Sequence, residues 1–468
     1  MTTQAKEPQH PTVDAASELR YRLGGGLHEP GSPEYDEACE LFNAMIETRP
    51  RYVARCNAPD DVVAALAFAR NHDLEVAVRA GGHSVTGLSL REDGLVLDVR
   101  GMSDVEVDPQ RRIARVGGGA TWATVDEATQ AHGLAAPGGR VSTTGVGGLT
   151  LGGGSGWLER KHGFACDNVE AVELVTATGE LVRASKGENS ELLWALRGGG
   201  GNFGVVTTFE LRLHPVGPEV FGGLVMHPFE SGRELLALWR DVMREAPDEL
   251  SLAFMYAAIA EDDEESPPEL RGKIAAVVAG MHSGTLAEGE EALRPIREFG
   301  APAADEFGPV PYAEFQRMID DPPGFRNYWT EEHLPDLPDA AIDAIHGRFV
   351  DPPPGIPQVF IVSWGGAMAR VGEESGPLTG RDARFIVHPL ALWTDPADDE
   401  RVMSWGRGLR ADMREFATGA SYLNFAGDEG EARVRAAYGE RNYERLAQVK
   451  ARWDPGNVFR ASGNVRPA

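Results

Sequence analysis

One short turn carries the residue best suited to covalent chemistry. The segment Arg79-Ala80-Gly81-Gly82-His83-Ser84 follows an alternating apolar stretch that ends at Val78. Two consecutive glycines remove side chains from the turn, so the backbone can approach a ligand closely. An imidazole stands at the next position, and imidazole is a nucleophile that forms covalent bonds to cofactors. The pattern predicts a cofactor bonded through His83, although a lone histidine is usually an ordinary surface or core residue.

Glycine is concentrated again in residues 138–156. The chain has 56 glycines among 468 residues, and they lack the period of a collagen. In residues 138–156 they alternate with apolar and threonine side chains, a pattern too broken for a helix and too long for a simple turn. We interpret this segment as a nest of backbone N–H groups held close to a ligand. Tight turns without a ligand are the alternative.

A third glycine segment, Gly199–Gly204, has the spacing of a dinucleotide fingerprint. That fingerprint needs a strand before it and a helix after it. Here a predicted helix, Ser190–Leu196, precedes the glycines and a predicted strand, Val205–Leu213, follows them, which argues against a Rossmann site. P-loop, His-Glu-x-x-His and Gly-x-Ser-x-Gly motifs are absent from the sequence. Kinase, zinc-protease and serine-hydrolase functions therefore lack motif support.

Six further stretches are distinctive when taken in order with the His83 turn. They are TTGVGGLTLGGGSGW at 143–157, GFACDN at 163–168, WALRGGGGNFGVVT at 194–207, YLNF at 422–425, YG and YERL within 438–446, and DPGNVFR at 454–460. Together these motifs resemble those of the berberine-bridge-enzyme-like FAD-linked oxidases, members of the vanillyl-alcohol-oxidase superfamily. The resemblance spans residues 51–467.

The resemblance implies an α+β fold: a two-subdomain PCMH-type FAD-binding domain with an inserted α+β substrate domain. We expect a disordered N-terminus over residues 1–15, the FAD-binding domain over 16–217, the substrate domain over 218–420, and a C-terminal segment over 421–468 that completes the FAD domain. The composition also changes near Pro215–Pro218, where the glycine runs stop.

The resemblance also implies one covalently bound FAD, attached at its 8α carbon to His83. Relatives with a second bond have a cysteine where this chain has Val141, so we expect a single link, and Cys166 to be a packed thiol. Asp167 and Asn168 are candidate cofactor contacts or ordinary turn residues. The full set of expected cofactor-binding residues is Arg79, Ala80, Gly81, Gly82, His83, Ser84, Gly87, Gly138, Thr143, Thr144, Gly145, Gly147, Gly148, Gly153, Gly154, Gly156, Trp157, Asp167, Asn168, Gly204, Val205, Val206 and Asn464.

Tyr422 and Asn424 are the expected catalytic residues. Tyr422 is the candidate base, and Asn424 is expected to bond the flavin or to hold Tyr422. A phenol of pKa ~10 needs help to act as a base near neutral pH, and a packed aromatic ring is the alternative. No carboxylate base can be read from a motif. Four other side chains are candidates to line a substrate pocket, namely Tyr312, Tyr328, Trp364 and His388.

The expected activity is oxidation of a small alcohol, sugar or amine by hydride transfer to flavin, with O₂ reduced to H₂O₂. In the family the residue at Thr144 controls access of O₂, and threonine is small, which favours an oxidase. A dehydrogenase with another electron acceptor is the first alternative, and a flavin-holding scaffold without turnover is the second.

The elements expected to position these residues are mostly short. A helix is predicted to begin at Ser32-Pro33 and run through Phe42 to Met45, and a strand over 74–79 ends at the His83 turn. A hairpin is expected about Thr178-Gly179. An amphipathic helix over 431–453 is expected to end at Asp454-Pro455-Gly456.

Composition limits the partners. The chain has 45 basic and 72 acidic residues and a net charge of −27, which argues against nucleic-acid binding and against a basic membrane-surface protein. The charge favours neutral or cationic substrates. Only five of the basic residues are lysines, which indicates either a GC-rich genome or salt adaptation. Three cysteines, no long apolar run and no export signal predict a reducing, cytoplasmic location. Monomer and homodimer remain open.

Overall fold

Helices and strands alternate along the chain. The computed structural model describes residues 13–427, 430–460 and 463–468, and the helices within them are α1 (Val13–Arg22), α2 (Pro33–Cys39), α3 (Pro59–Asn71), α4 (Trp122–Gln130), α5 (Val146–Leu151), α6 (Glu159–His162), α7 (Ser190–Leu196), α8 (Gly232–Arg244), α9 (Leu286–Arg297), α10 (Tyr312–Phe315), α11 (Asp339–Arg348), α12 (Gly366–Ala369), α13 (Asp399–Met413) and α14 (Glu431–Trp453).

The strands are β1 (Leu27–His28), β2 (Tyr52–Arg55), β3 (Val76–Arg79), β4 (Leu95–Asp98), β5 (Val105–Asp108), β6 (Ile113–Gly117), β7 (Leu134–Ala135), β8 (Val169–Val175), β9 (Leu181–Ser185), β10 (Val205–Arg212), β11 (His214–Pro215), β12 (Glu219–Pro228), β13 (Leu250–Ala258), β14 (Ile274–His282), β15 (Ala304–Asp305), β16 (Gly308–Pro311), β17 (Arg326–Trp329), β18 (Glu332–Leu334), β19 (Ile356–Ser363) and β20 (Phe385–Trp393).

Three sheets organise the molecule. The first has the order β1-β2-β4-β3, with β2, β4 and β3 parallel because α3 crosses back between β2 and β3. The second is antiparallel, in the order β5-β6-β10-β8-β9, and β7 and β11 pair separately. The third has nine antiparallel strands along β15-β12-β14-β13-β19-β20-β17, with β16 beside β12 and β18 beside β20. This mixture confirms the predicted α+β class.

The nine-stranded sheet is buried on both faces. Alternation along β20 shows this: Val387, Ala391 and Trp393 pack in the core formed with helices α8, α11 and α13. Ile386 and Leu390 point the other way and join the core shared with the second sheet and α14. His388 has the same parity as Leu390, so the strand directs this imidazole away from the helices.

The last long helix returns to the first half of the chain. Nζ of Lys450, buried in α14, donates to the carbonyl oxygens of Asn202 and Phe459 at 2.6 Å each and pairs with Asp454. Phe459 then packs in the core of the first sheet. The predicted domain limits at residues 217 and 420 stay a prediction.

Several predicted elements have different limits in the structure. The helix that begins at Pro33 ends at Cys39, short of Met45. The guanidinium of Arg79 caps this end, because it donates hydrogen bonds to the carbonyl oxygens of Glu37 and Glu40. The glycine segment contains the six-residue helix α5, which was not predicted; Val146, Thr150 and Leu151 are buried, and this packing compensates for the glycines.

At the N-terminus, α1 begins at Val13, inside the stretch predicted to be disordered, and residues 1–12 of that stretch lie outside the described residues. In the part of the chain that the structure describes, no helix has the length and apolar character needed to cross a membrane.

Candidate active site

A cavity of about 390 Å³ lies where the nine-stranded sheet meets the loops of the two smaller sheets. Residues from the His83 turn, the glycine segment, the loop before β10, strands β13, β19 and β20, and the segment after Ser421 all line it. The predicted site residues that line this one cavity are Ala80, Gly81, Gly82, His83, Ser84, Thr144, Gly145, Gly147, Gly148, Gly204, Val205, Val206, His388, Tyr422 and Asn424.

The His83 turn and the glycine segment are packed backbone to backbone. A Cβ atom added to Gly81 would lie 2.2 Å from the backbone nitrogen of Gly145, and one added to Gly145 would lie 2.3 Å from that of Gly81. Gly82 has φ +75°, a conformation that favours glycine. Glycine is therefore required on both sides of this contact, which brings the two sequence-distant motifs together.

His83 is a half-buried, neutral imidazole at this junction. Its Nε2 lies 3.0 Å from Oγ1 of Thr143, and its Nδ1 lies 3.4 Å from Oγ1 of Thr144. The ring of Phe42 stacks on it, with centroids 4.5 Å apart and an interplanar angle of 18°. Burial lowers the pKa of His83 to about 4, so the ring is unprotonated at neutral pH and can act as a nucleophile.

The glycine segment presents backbone, not side chains, to the cavity. Gly145, Gly147 and Gly148 line it, and a Cβ added to Gly148 would meet no atom within 4 Å. Arg91 and Arg460 line the same cavity, and each pairs with Glu75, at 3.0 and 2.7 Å. A cavity lined by glycine backbone and by two arginines, of whose charges the shared partner Glu75 cancels one, fits the pyrophosphate-containing dinucleotide FAD.

Tyr422 anchors the glycine segment from the opposite side. Its hydroxyl oxygen accepts hydrogen bonds from the backbone N–H groups of Gly154 and Ser155 at 2.7 and 2.9 Å. Nδ2 of Asn424 donates to the same oxygen at 3.2 Å and to the carbonyl of Leu149 at 3.0 Å. Complete burial raises the pKa of Tyr422 well above its ordinary value and outweighs these donors, so the phenol is neutral.

A continuous row of six rings joins His83 to Tyr422. Successive centroids are 4.5 Å apart for His83 and Phe42, 5.7 Å for Phe42 and Trp329, 5.4 Å for Trp329 and His388, 4.5 Å for His388 and Phe425, and 5.0 Å for Phe425 and Tyr422. Five of these six rings line the cavity, namely those of His83, Trp329, His388, Phe425 and Tyr422. We call the six rings the aromatic wall.

Charge inside the cavity is sparse near the aromatic wall. Arg140 lines it but is neutralised by Glu159, with Nη2 and Oε1 2.7 Å apart. Asp321 also lines it, and burial together with the neighbouring Asp320 raises its pKa to about 6. Asp320 points elsewhere: its carboxylate accepts from the backbone N–H and the hydroxyl of Ser142, both at 2.6 Å. Asp321 is therefore a lining carboxyl group without a cationic partner among the described residues. We call the part of the cavity lined by Asp321 and the aromatic wall the chamber.

Other predicted residues have structural roles outside the lining. Asp167 forms a two-pronged ion pair with Arg381, with both contacts 2.8 Å, and accepts from the N–H of Phe164. Asn168 donates to the carbonyls of His162 and Phe164. Thr143 bonds the lining residue His83, and Arg79 donates to the carbonyls of Glu37 and Glu40. The remaining residues outside the lining are Gly87, Gly138, Gly153, Gly154, Gly156, Trp157, Asn464, Tyr312, Tyr328 and Trp364.

The glycines in that group are required for packing. A Cβ on Gly138 would lie 2.4 Å from Trp122, one on Gly156 would lie 1.7 Å from the carbonyl oxygen of Gly138, and one on Gly87 would lie 2.8 Å from Ile46. Cys166, predicted to be a packed thiol, is fully buried, and burial raises its pKa well above its ordinary value.

The lining residues that the sequence did not indicate include Arg91, Arg140, Asp321, Trp329, Gln358 and Phe360. Gln358 and Phe360 alternate along β19, a strand pattern visible in the sequence, but nothing there indicates which face meets the cavity. Asp321 lies in a loop among many acidic residues and has no motif around it.

Comparison with known proteins agrees with this geometry. A family model described as an FAD binding domain matches residues 50–185, and one described as berberine and berberine like matches residues 421–466. The chain is 30% identical over 459 residues to (R)-6-hydroxynicotine oxidase of Paenarthrobacter nicotinovorans, covering 95% of this chain and 97% of that one. It is 29% identical over 452 residues to an FAD-linked oxidoreductase of Dictyostelium discoideum, covering 95% of each.

Among solved structures, 6-hydroxy-D-nicotine oxidase from Arthrobacter nicotinovorans matches with a TM-score of 0.86 and 28% identity, over 95% of this chain and 98% of that chain. Fold and site together define an FAD-binding oxidoreductase with the PCMH-type fold. More particularly, the chain belongs to the berberine-bridge-enzyme-like family of FAD-linked oxidoreductases.

Proposed function

We propose that this protein is an oxidase with FAD bonded to His83, and that it oxidises the carbon next to the nitrogen of a small apolar amine. The observation that carries the proposal is the single cavity in which the neutral imidazole, the glycine backbone and the aromatic wall with its one carboxyl group meet. Bound FAD would accept a hydride and return its two electrons to O₂. Overall, an amine H–C–N–H and O₂ give an imine and H₂O₂, so two electrons and two protons leave the substrate.

The bond to His83 is supported by the state of that imidazole. Because burial keeps it neutral, a ring nitrogen has a lone pair, and the hydroxyls of Thr143 and Thr144 hold the ring in place. Attachment of FAD at this nitrogen would exchange the imidazole N–H and one C–H of the flavin 8-methyl group for an N–C bond, a two-electron oxidation in which O₂ would take up the electrons and the two protons as H₂O₂. Val141 lines the cavity where relatives have a second attaching cysteine, which supports a single bond.

The substrate class is supported by the chamber. An ammonium group would be attracted by Asp321, and its apolar part would pack on Trp329 and Phe360, since cations and apolar groups both bind aromatic faces. The similar (R)-6-hydroxynicotine oxidase acts, by its name, on a molecule of this type. Arg91 and Arg460 would hold the pyrophosphate of FAD, and Thr144, small and beside His83, leaves room for O₂. Cytoplasmic location and the choice between monomer and homodimer stay predictions.

The covalent bond is tested on a denaturing gel. The protein, purified with its flavin, is precipitated with acid and run beside His83→Ala and the control His132→Ala, which changes an exposed imidazole. Wild type and His132→Ala should keep flavin fluorescence in the protein band, and His83→Ala should lose it. Release of all flavin from the wild type by acid would refute the bond.

The substrate class is tested by anaerobic reduction of the bound flavin with a panel of cyclic amines, aryl alcohols and sugars. Amines should reduce it fastest, and Asp321→Asn should raise KM for a cationic amine about 10-fold while leaving KM for a neutral substrate unchanged. Admission of air should reoxidise the flavin rapidly and yield H₂O₂. Reduction by sugars alone would refute the amine assignment, and slow reoxidation in air with fast reoxidation by an artificial acceptor would indicate a dehydrogenase.

A further inference from the structure

His388 is a cavity-lining imidazole whose two ring nitrogens differ. Nδ1 lies 2.7 Å from the carbonyl oxygen of Thr330, and a carbonyl can only accept, so this nitrogen carries the proton. The other nitrogen, Nε2, then has a free lone pair. No residue in the described part of the chain forms a hydrogen bond with it, and the ring lines the cavity.

The ring is held in one orientation. Phe425 stacks on it at 4.5 Å and 10°, and Trp329 meets it edge-on at 5.4 Å and 85°. The residue is only 3% exposed. Strand β20 fixes its position as well, since His388 pairs in register with Phe360 of β19, another lining residue. A side chain fixed by strand, stack and hydrogen bond is a preorganised one.

The other titratable groups that line the chamber are already engaged. Tyr422 is a neutral phenol whose two oxygen lone pairs accept the backbone N–H groups of Gly154 and Ser155, so neither is left for a substrate proton. The hydroxyl of Tyr438 donates to the carbonyl of Gly198, and Arg140 is paired with Glu159. His83 is assigned to the flavin bond and Asp321 to attraction of the ammonium group.

We propose that Nε2 of His388 accepts the proton that the substrate nitrogen loses as the neighbouring carbon is oxidised. This inference rests on the proposed function and replaces Tyr422 as the base. The N–H bond of the substrate breaks, an Nε2–H bond forms, and the electron pair of the N–H bond becomes part of the C=N bond. The hydride leaves from the carbon, and the proton on Nε2 is later released to complete H₂O₂. The overall balance is amine and O₂ to imine and H₂O₂, and a substrate bound as its ammonium ion gives the iminium ion by the same step.

The surroundings keep His388 in its basic form. Burial lowers its pKa to about 4, the positive charge of Arg140 acts in the same direction, and the carboxylate of Glu331 and the Thr330 carbonyl oppose it. The imidazole is therefore neutral throughout the neutral range. A proton on nitrogen becomes strongly acidic as hydride leaves the adjacent carbon, so a weak base is sufficient at that moment.

The test is anaerobic stopped-flow reduction of the flavin in the covalent holoenzyme, with the best amine of the panel. His388→Asn keeps a donor for Thr330 but lacks a nitrogen at the Nε2 position, and it should reduce the flavin about 100-fold more slowly or worse, with substrate affinity nearly unchanged. His227→Asn, which alters a buried imidazole outside the cavity, is the control and should match the wild type. Covalent flavin fluorescence and circular dichroism verify that each variant is folded.

Chemical rescue separates proton transfer from packing. His388→Ala should be restored in part by added imidazole but not by pyrazole, which has the same size and is a much weaker base. Equal rescue by both, or a His388→Asn rate within 3-fold of the wild type, would overturn the proposal. If Asp321→Asn reduces the flavin slowly and His388→Asn does so at the wild-type rate, the proposal is overturned and Asp321 is the proton acceptor. If no amine reduces the wild-type flavin, the proposed function itself fails.

Discussion

At the residue scale, the Tyr422 hydroxyl anchors the surrounding backbone, and its assignment as the base stays a prediction. The Tyr-x-Asn pattern predicted a base, and the structure uses the phenol oxygen to collect N–H groups from Gly154, Ser155 and Asn424. Its backbone is held in turn by the buried Glu331, whose Oε1 accepts from the Tyr422 N–H at 3.1 Å and from Ser421 at 2.8 Å. Tyr422 therefore links the segment after residue 420 to the glycine segment.

This role predicts a stability effect for Tyr422→Phe. Removal of the hydroxyl leaves two buried backbone N–H groups without their acceptor, which costs about 1–3 kcal/mol in the free energy of unfolding. Equilibrium unfolding in urea, followed by tryptophan fluorescence, measures the loss. Tyr21→Phe is the control, because Tyr21 is 93% exposed, and it should be indistinguishable from the wild type. A Tyr422→Phe protein as stable as the wild type would contradict the anchoring role.

At the scale of elements, an ion pair connects segments more than 200 residues apart. Asp167 follows α6, and Arg381 precedes β20. Their side chains are 7% and 8% exposed. Arg381 also lies over the ring of Phe164, 4.9 Å from its centroid, and Phe164 stacks on Tyr422. The pair thus holds the loop beneath the active site against the nine-stranded sheet.

Asp167→Asn should destabilise the protein by about 3–5 kcal/mol, because it leaves the guanidinium of Arg381 buried without a counter-ion. Asparagine still accepts the Phe164 N–H bond, so the loss of charge is isolated. The matched control is Glu191→Gln, which removes one partner of the exposed Arg445–Glu191 pair and should cost less than about 1 kcal/mol. Thermal unfolding of both variants measures the difference. Equal effects would mean that Asp167 contributes only its hydrogen bonds.

The elements also show what the sequence could predict. Strands such as β3 and β10 and the helices α7 and α14 follow local patterns and were predicted within a few residues. The His83 turn and the glycine segment were predicted to share one site, and a contact such as Gly81 with Gly145 explains why both need glycine. Partners distant in sequence were not predictable: nothing near Asp167 indicates Arg381, and nothing near His388 indicates the Thr330 carbonyl that fixes its proton.

At the scale of the whole molecule, the acidic excess lies away from the chemistry. Among the described residues, Asp321 is the one carboxylate that lines the cavity, and several buried carboxylates outside the lining pair with arginine, as Glu159 does with Arg140 and Glu331 does with Arg433. The acidic side chains behind the net charge of −27 therefore lie mostly at the surface, where they repel one another. Such repulsion destabilises the compact state and is screened by salt, since the Debye length falls from about 30 Å at 0.01 M to about 3 Å at 1 M.

The melting temperature should therefore rise by several degrees between about 10 mM and 1 M KCl, because screening relieves the excess repulsion while exposed ion pairs lose less than about 1 kcal/mol each. Chloride is used because sulfate would stabilise any protein by exclusion from its surface. A variant with Glu261→Gln, Asp262→Asn and Glu264→Gln removes three exposed negative charges and spares Asp263, which accepts from Ser266 within the same loop. Its melting temperature should start higher at low salt and rise less. A melting temperature that falls with KCl in both proteins would mean that arginine–carboxylate pairs, and not net charge, dominate the surface.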